Sequence, residues 1–307
     1  MVNFRYHVVS LAAVFLALAL GVILGAGPLQ NQVKSISDGE DFQEQLAASQ
    51  AELQATAEEG QQYATYVDAL ADELLPGALD GLKVVTVSMP GANAADVEQL
   101  VQAAELAGAT VVGSVELTES WISLGQREYR ETLSAPVASH LTHEAASETS
   151  DGVLAQALVE VISTTGSEQD LMRQILADET TPLVVPGTMP EEPATAAILA
   201  GSVEPLLSSD DTAEEEDQAQ VSVQAVVDLA NALGTLPDGA VAVGKAVEDE
   251  DLITRLRQAD ASITTVDQLG SQMAVVNAVL SLGTEGDGKY GQGIDALEPA
   301  APLPAKK

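Results

Sequence analysis

Two histidines three residues apart, His140 and His143, are of a residue type that binds metal ions. On a helix, this spacing would place both imidazoles on one face, where they would be able to bind the same ion. No third ligand lies near them in the sequence, and the alternative is a pair of exposed histidines. Met89 and Met189 each precede a proline, and these thioethers either face solvent or fill the core. We therefore treat the two histidines as a speculative metal site and predict no other.

A glycine cluster near the C-terminus almost matches two phosphate-binding motifs. Residues 283–290 read G-x-x-x-x-G-K-Y, with Tyr290 in place of the hydroxyl that binds magnesium, and residues 286–291 read G-x-G-x-x-G. Both motifs require a preceding strand and a following helix, whose N-terminal N–H groups bind the phosphates. This cluster follows a predicted helix. We therefore predict a structural helix cap and loop, with no nucleotide bound there.

Neither a nucleophile nor a cofactor site is evident. The chain has no cysteine, which excludes thiolate zinc sites, iron–sulfur clusters and a cysteine nucleophile. It has no G-x-S-x-G motif for a serine nucleophile. The remaining enzymatic hypothesis is the crevice at the carboxyl ends of the parallel strands, near residues 88–93, where no catalytic constellation stands. We predict no catalytic residue, no cofactor-binding residue and no enzymatic activity.

The charge balance excludes further classes of partner. The chain of 307 residues has 47 acidic and 12 basic side chains, a formal net charge of −35. Such a chain repels nucleic acid, which is bound through Lys and Arg, and it is disfavoured on an anionic membrane surface. Aromatic residues make up 3% of the chain and apolar residues 46%. The core must therefore consist of Ala, Val, Leu and Ile.

An apolar segment near the N-terminus predicts a membrane anchor. No charged residue occurs from Val8 to Leu29, and roughly 20 apolar residues suffice to cross a bilayer. The alternatives are a cleaved signal peptide, whose apolar region is usually shorter, and a buried helix. Arg5 precedes the segment and the acidic chain follows it, so the positive-inside rule places the N-terminus in the cytoplasm. We predict a single-pass protein of the cell membrane, anchored in the lipid bilayer by residues 8–27, with its C-terminal domain extracytoplasmic.

Two patterns predict self-association. Small residues recur every fourth position in the membrane segment and form one helix-packing face: Ala13, Ala17, Gly21 and Gly25. The alternative is that Ala and Gly are simply common there. Residues 37–75 are predicted to be helical, with a 4-3 spacing typical of a coiled coil at Phe42, Leu46, Ser49, Leu53, Thr56, Gly60, Tyr63, Val67, Leu70 and Leu74. A homodimer or higher homo-oligomer through this stalk and the membrane helix is expected; the alternative is a single helix folded back on the globular domain.

The rest of the chain has the pattern of a parallel α/β sheet. Apolar strands are predicted at 82–88 and 110–117 with a helix between them, and the pattern returns at 240–282. Between these regions, helices are predicted over 119–133, 152–163, 168–177 and 221–233, with a weak strand at 183–185 and an acidic loop at 208–218.

The predicted fold class is therefore α/β, with an N-terminal single transmembrane helix and a coiled-coil stalk before a Rossmann/flavodoxin-like parallel-sheet domain. Its four parts are a cytoplasmic tip and anchor (1–30), the stalk (31–77), the extracytoplasmic α/β domain (78–297) and a disordered tail (298–307).

Both ends of the chain resemble one known family. The segment from Val9 to Gly25, with Tyr6 and His7 before it, resembles the opening of the mycobacterial copper transport protein B family, which is found across actinobacteria. A second likeness, to that family's closing block, lies at Val266, Asp267, Gly270, Met273–Val276, Leu280, Gly288–Gly291 and Ala296–Pro299. The order of membrane helix, stalk and α/β domain also agrees. The segment 182–220 departs most, because the family commonly has a clear apolar strand near it.

This resemblance implies a role in copper transport or in keeping intracellular copper low, with a copper ion as the bound species. The family has been described as an outer-membrane channel, although one apolar helix cannot enclose a pore alone. The competing hypothesis is a structural or interaction module of the cell envelope, which binds envelope proteins and does not transport metal.

Overall fold

The computed structural model describes residues 39–202, 222–282, 284 and 287–303. The chain divides into two compact units, residues 1–63 and residues 64–307. The predicted membrane helix with its packing face Ala13, Ala17, Gly21 and Gly25 lies outside the described residues, as does the acidic segment 208–218. Within the described ranges, no helix is both long and apolar enough to cross a bilayer.

A helix of 36 residues, α1 (Gly39–Leu74), occupies most of the predicted stalk. At 1.5 Å per residue it is about 54 Å long. The residues from 46 to 63 are all exposed, including the seam residues Leu46, Leu53 and Tyr63. Whether a second helix covers this stripe stays a prediction.

The last turns of α1 belong to the core of residues 64–307. Val67, Ala71 and Leu75 recur every fourth position and are buried, together with Leu79. Such spacing puts the three side chains on one face of the helix. Val67 was expected in the coiled-coil seam, and the structure instead packs it within the globular unit.

Six parallel strands form one sheet in the order β2-β1-β3-β4-β5-β6. Their bounds are β1 Lys83–Ser88, β2 Thr110–Glu116, β3 Ala196–Ala200, β4 Ala240–Val243, β5 Thr264–Val266 and β6 Lys289–Tyr290. The predicted parallel α/β fold is confirmed. The direction in which strands are added reverses between β1 and β3, as in flavodoxin-like sheets. In such folds, ligands bind at this reversal, outside the carboxyl ends of the strands.

Helices cover both faces of the sheet. They are α2 Ala94–Leu106, α3 Glu119–Ile122, α4 Arg127–Ala138, α5 Ser150–Ser163, α6 Ser167–Leu176, α7 Val223–Leu233, α8 Leu252–Gln258 and α9 Gln272–Ser281, with a 3-10 turn at Leu124–Gln126. Successive strand residues point to opposite faces. Accordingly, Val84 packs in the cluster with α2 and α9, whereas Val85 packs in the cluster with α5 and α7.

The strand between β1 and β4 is not where the sequence predicted it. The central strand is β3, whose five residues AAILA are fully buried. Its alanines have little preference for strands, and Ile198 is the one β-branched residue among them. The predicted strand at 183–185 is wrong, because Val184 makes only an isolated antiparallel bridge to Leu117, after the end of β2.

Two other predicted elements differ. The helix expected over 119–133 is interrupted, because Ser123 adopts an extended conformation after α3 and the chain continues through the 3-10 turn into α4. Residues 298–303, expected in a disordered tail, make defined contacts. Asn277 on α9 donates to Pro299 O at 3.2 Å and accepts from Ala301 N at 3.0 Å, and Ala301 is buried.

Candidate functional site

The crevice predicted at residues 88–93 is present as an acidic cleft at the carboxyl ends of β1 and β2. It has a volume of about 470 Å³, and Ser88, Met89, Glu98, Ser114 and Glu116 are among its lining residues. The side chain of Asn93 accepts from Ala95 N at 2.8 Å and so caps α2 beside the cleft. None of the residues that line this cleft is basic. Its carboxylates and hydroxyls favour a cationic ligand over an anion.

The loops after β1 and β3 meet beside this cleft, at the reversal of strand order. A Cβ atom at Gly91 would stand 3.0 Å from Ser202 Oγ, and Gly91 has a positive φ of 77°. Glycine is therefore favoured at this position both by its backbone conformation and by the closeness of Ser202. This approach of two loops fixes the wall of the cleft where doubly wound folds bind ligands.

The glycine cluster lacks the order of elements that a phosphate-binding motif requires. Lys289 and Tyr290 form β6, so a strand stands where a phosphate-binding motif requires a helix. Asp267, directly after β5, accepts from Gln292 N at 3.0 Å and from Gly293 N at 2.9 Å. A Cβ at Gly291 would overlap the carboxylate of Asp267. The described part of the cluster therefore wraps around a buried acid.

A buried arginine completes this polar core. Arg257 on α8 pairs with Asp267 and also donates to Tyr290 O at 2.9 Å and Ile294 O at 2.8 Å. It donates further to Thr265 Oγ1 at 3.1 Å. These hydrogen bonds connect β5, β6 and the loop that follows β6. The donors of Arg257 and the acceptors that they meet are thus paired with one another. This polar core is a structural centre.

The two histidines do not share a helix face, which corrects the geometry expected for a metal site. Helix α4 ends at Ala138, and both residues lie in the segment that follows. His140 Nδ1 lies 2.5 Å from Glu168 on α6, and His143 Nδ1 lies 3.3 Å from Glu160 on α5. In the part of the chain that the structure describes, no three His, Asp or Glu side chains come together to hold a metal ion.

Glu160 is a buried acid that the sequence analysis missed. Its carboxylate accepts from Thr142 N at 2.9 Å and from His143 N at 2.7 Å. The sequence does indicate this acid, because it is a lone carboxylate inside the apolar stretch of α5. A carboxylate that is buried there needs hydrogen-bond donors. Of the two alternatives for Met89 and Met189, solvent exposure or burial, the structure shows burial, with Met89 beside the cleft at β1 and Met189 beside α6.

Three residues outside the lining of the acidic cleft, Tyr129, Asp178 and Tyr290, have a shifted pKa. Burial raises the pKa of Tyr129 and the nearby charge of Asp178 adds to this effect, while burial and Glu298 raise the pKa of Tyr290. The N–H groups of Thr180 and Thr181 lower the pKa of Asp178.

Comparison with known proteins identifies relatives. Residues 1–300 match the family described as "Copper transport outer membrane protein, MctB". The "Copper transporter MctB" of Mycobacterium tuberculosis (strain ATCC 25618 / H37Rv) is 31% identical over 130 residues, and that of Mycobacterium leprae (strain TN) is 32% identical over 130 residues. These alignments cover 42% of this chain and 41% of each relative. The similarity to each relative thus extends over less than half of its length.

Proposed function

The chain belongs to the family of the copper transport outer membrane protein MctB, and on that premise we propose that it takes part in copper transport or copper homeostasis at the cell envelope. The observation that carries the proposal is the family match over residues 1–300, supported by relatives that bear the name copper transporter. Copper is the cargo in this proposal, and catalysis is no part of it.

The proposed arrangement in the membrane follows from the sequence. Residues 8–27 anchor the chain in the lipid bilayer, the N-terminus is cytoplasmic, and the acidic α/β domain is outside the cytoplasm. A surface of high negative charge suits a domain that stays solvated in that compartment. This arrangement is that of a protein in the cytoplasmic membrane, whereas the family's description names the outer membrane.

Deleting the gene and measuring cell-associated copper tests the role in copper handling. We expect more cell-associated copper and lower copper resistance, both restored by the wild-type gene. Cell-associated zinc serves as the control and should not change. Unchanged copper content together with unchanged resistance would contradict the proposal.

The second candidate function is an interaction module of the envelope, and one observation favours it. The exposed stripe Leu46, Leu53 and Tyr63 on α1 is suited to a second copy of the helix. In a parallel pair, Glu52 and Glu59 on one side of the stripe would face Ala57 and Ala64 of the other copy. An antiparallel pair would instead bring glutamates together, so the charges favour the parallel homodimer.

Affinity capture of the intact protein from membranes separates the two functions. Recovery of stable envelope proteins, with no copper phenotype on deletion, would support the interaction module. A clear copper phenotype without any stable partner would support the role in copper handling.

A further inference from the structure

A second cavity, of about 410 Å³, lies between α6 and the segment 187–191. Its lining residues are Thr164, Thr165, Gln169, Asp170, Arg173, Ala177, Gly187, Met189 and Glu191. The volume falls within the range of about 300–1,000 Å³ that is usual for small-molecule sites. Unlike the acidic cleft, this cavity is lined by a cation as well as by carboxylates.

Gln169 contributes a side-chain amide to the wall of this cavity. The residue is 8% exposed, and its side chain lines the cavity. No hydrogen bond joins that side chain to another of the described residues. The amide of Gln169 is therefore available to a ligand.

Arg173 lies one helical turn from Gln169, on the same face of α6. Its Nη2 donates to Val161 O at 3.3 Å. In a chain with 47 acids and 12 bases, no carboxylate oxygen of the described residues lies within 4 Å of this guanidinium. A guanidinium is a fork of N–H donors that matches a carboxylate, and most of this fork is free to bind one.

Asp170 and Glu191 bring negative charge to the same cavity. Both are exposed residues that line it, and neither carboxylate pairs with Arg173. Positive and negative groups are thus kept apart around one small volume. A ligand with only a negative charge would meet these two carboxylates, and a ligand with only a positive charge would meet the guanidinium.

We propose that this cavity binds a small zwitterion, a molecule that carries a carboxylate and an ammonium group on one short carbon frame, as an α-amino acid does. Arg173 and the amide of Gln169 bind its carboxylate, and Asp170 and Glu191 bind its ammonium group. Ala177 and Met189 leave an apolar wall for a short side chain.

Titration of the full-length protein with L-alanine tests the proposal, with acetate and ethylammonium as probes that each carry half of the charge pattern. The buffer is kept free of copper by a chelator, because amino acids bind copper themselves. We expect saturable binding of one alanine per chain, at least about tenfold tighter than either half-probe. Absence of saturable binding, or equal affinity for acetate or ethylammonium, would overturn the proposal.

Two variants locate the site. Arg173→Gln and Gln169→Leu should each weaken alanine binding about tenfold, because each removes donors to the carboxylate. Arg127→Gln is the matched control, since Arg127 is an exposed arginine on α4 that pairs with Glu131. Thermal unfolding checks that each variant is folded. Full affinity in folded Arg173→Gln and Gln169→Leu proteins would overturn the assignment.

Discussion

Arg257 and Asp267 form an ion pair from which solvent is excluded. Nη1 of the guanidinium lies 2.9 Å from Oδ2 of the carboxylate, and the two side chains are 0% and 1% exposed. The desolvation of such a pair is offset only if the remaining donors and acceptors are also satisfied. Here the additional donors to Asp267 are Gln292 N and Gly293 N, so the pair fixes the loop that follows β6.

Arg257→Met should destabilise the protein strongly, because it leaves the charge of Asp267 buried without its cation. We expect the free energy of unfolding to fall by about 3–5 kcal/mol, measured by chemical denaturation. The double variant Arg257→Met/Asp267→Asn should recover part of this loss. Arg127→Met, which breaks an exposed pair, should cost at most about 1 kcal/mol. Equal losses for both single arginine variants would contradict the importance of the buried pair.

Gly291→Ala should be more destabilising than backbone strain alone explains. Gly291 has a φ of 128°, and an added Cβ would overlap the carboxylate of Asp267. Gly239→Ala is the matched control, because Gly239 also has a positive φ, of 76°, with nothing within 4 Å of an added Cβ. Strain of this kind costs about 1–3 kcal/mol. We expect Gly291→Ala to lower the melting temperature clearly further than Gly239→Ala, and the reverse order would refute this account.

Alkaline pH should unfold the protein partly through Tyr129. Its hydroxyl donates to Thr181 O at 3.0 Å, and burial raises its pKa in the folded state. Above the ordinary pKa of about 10, the unfolded chain binds fewer protons at this site than the folded one, so stability falls as pH rises. In denaturation curves between about pH 9 and pH 12, Tyr129→Phe should reduce this fall. Tyr66→Phe, at an exposed position on α1, should leave it unchanged.

Leu53→Glu should disrupt self-association if the stripe on α1 is a dimer seam. Leu53 is 69% exposed and lies at a core position of the predicted coiled coil. We expect light scattering of the detergent-extracted full chain to report a dimer for the wild type and a lower mass for the variant. Ala55→Glu adds the same charge outside the seam and should remain dimeric. A wild-type protein that is monomeric at all concentrations would refute the seam.

The parts of the fold that local patterns determine were predictable from the sequence. Strand β1 is a β-branched apolar run, and Asn93 caps α2 as its residue type indicates. Strand β3 was missed, because its alanines become a strand through pairing on both sides with β1 and β4 and not through local preference.

The polar contacts were predictable only in part. Asp267 and the glycine cluster were noted separately, but the hydrogen bonds of Asp267 to Gln292 and Gly293 join residues 25 and 26 positions apart, and residue spacing alone does not reveal such a contact. The histidines were misplaced for a related reason. Helix α4 ends at Ala138, before both histidines, and the separate helices α5 and α6 each supply a glutamate to one imidazole.

The closing segment has a consequence for the order in which the domain is made. Ribosomes release the chain N-terminus first, so Arg257 and Asp267 emerge before Tyr290, Gln292 and Gly293, which bind them. Until Lys289 and Tyr290 have emerged, β5 lacks its neighbouring strand β6. Until Ala301 has emerged, α9 lacks the hydrogen bond that Asn277 accepts from Ala301 N. The nascent domain therefore keeps one unfinished sheet edge until nearly all of the described residues have been synthesised, and that edge is the part most exposed to mispairing during synthesis.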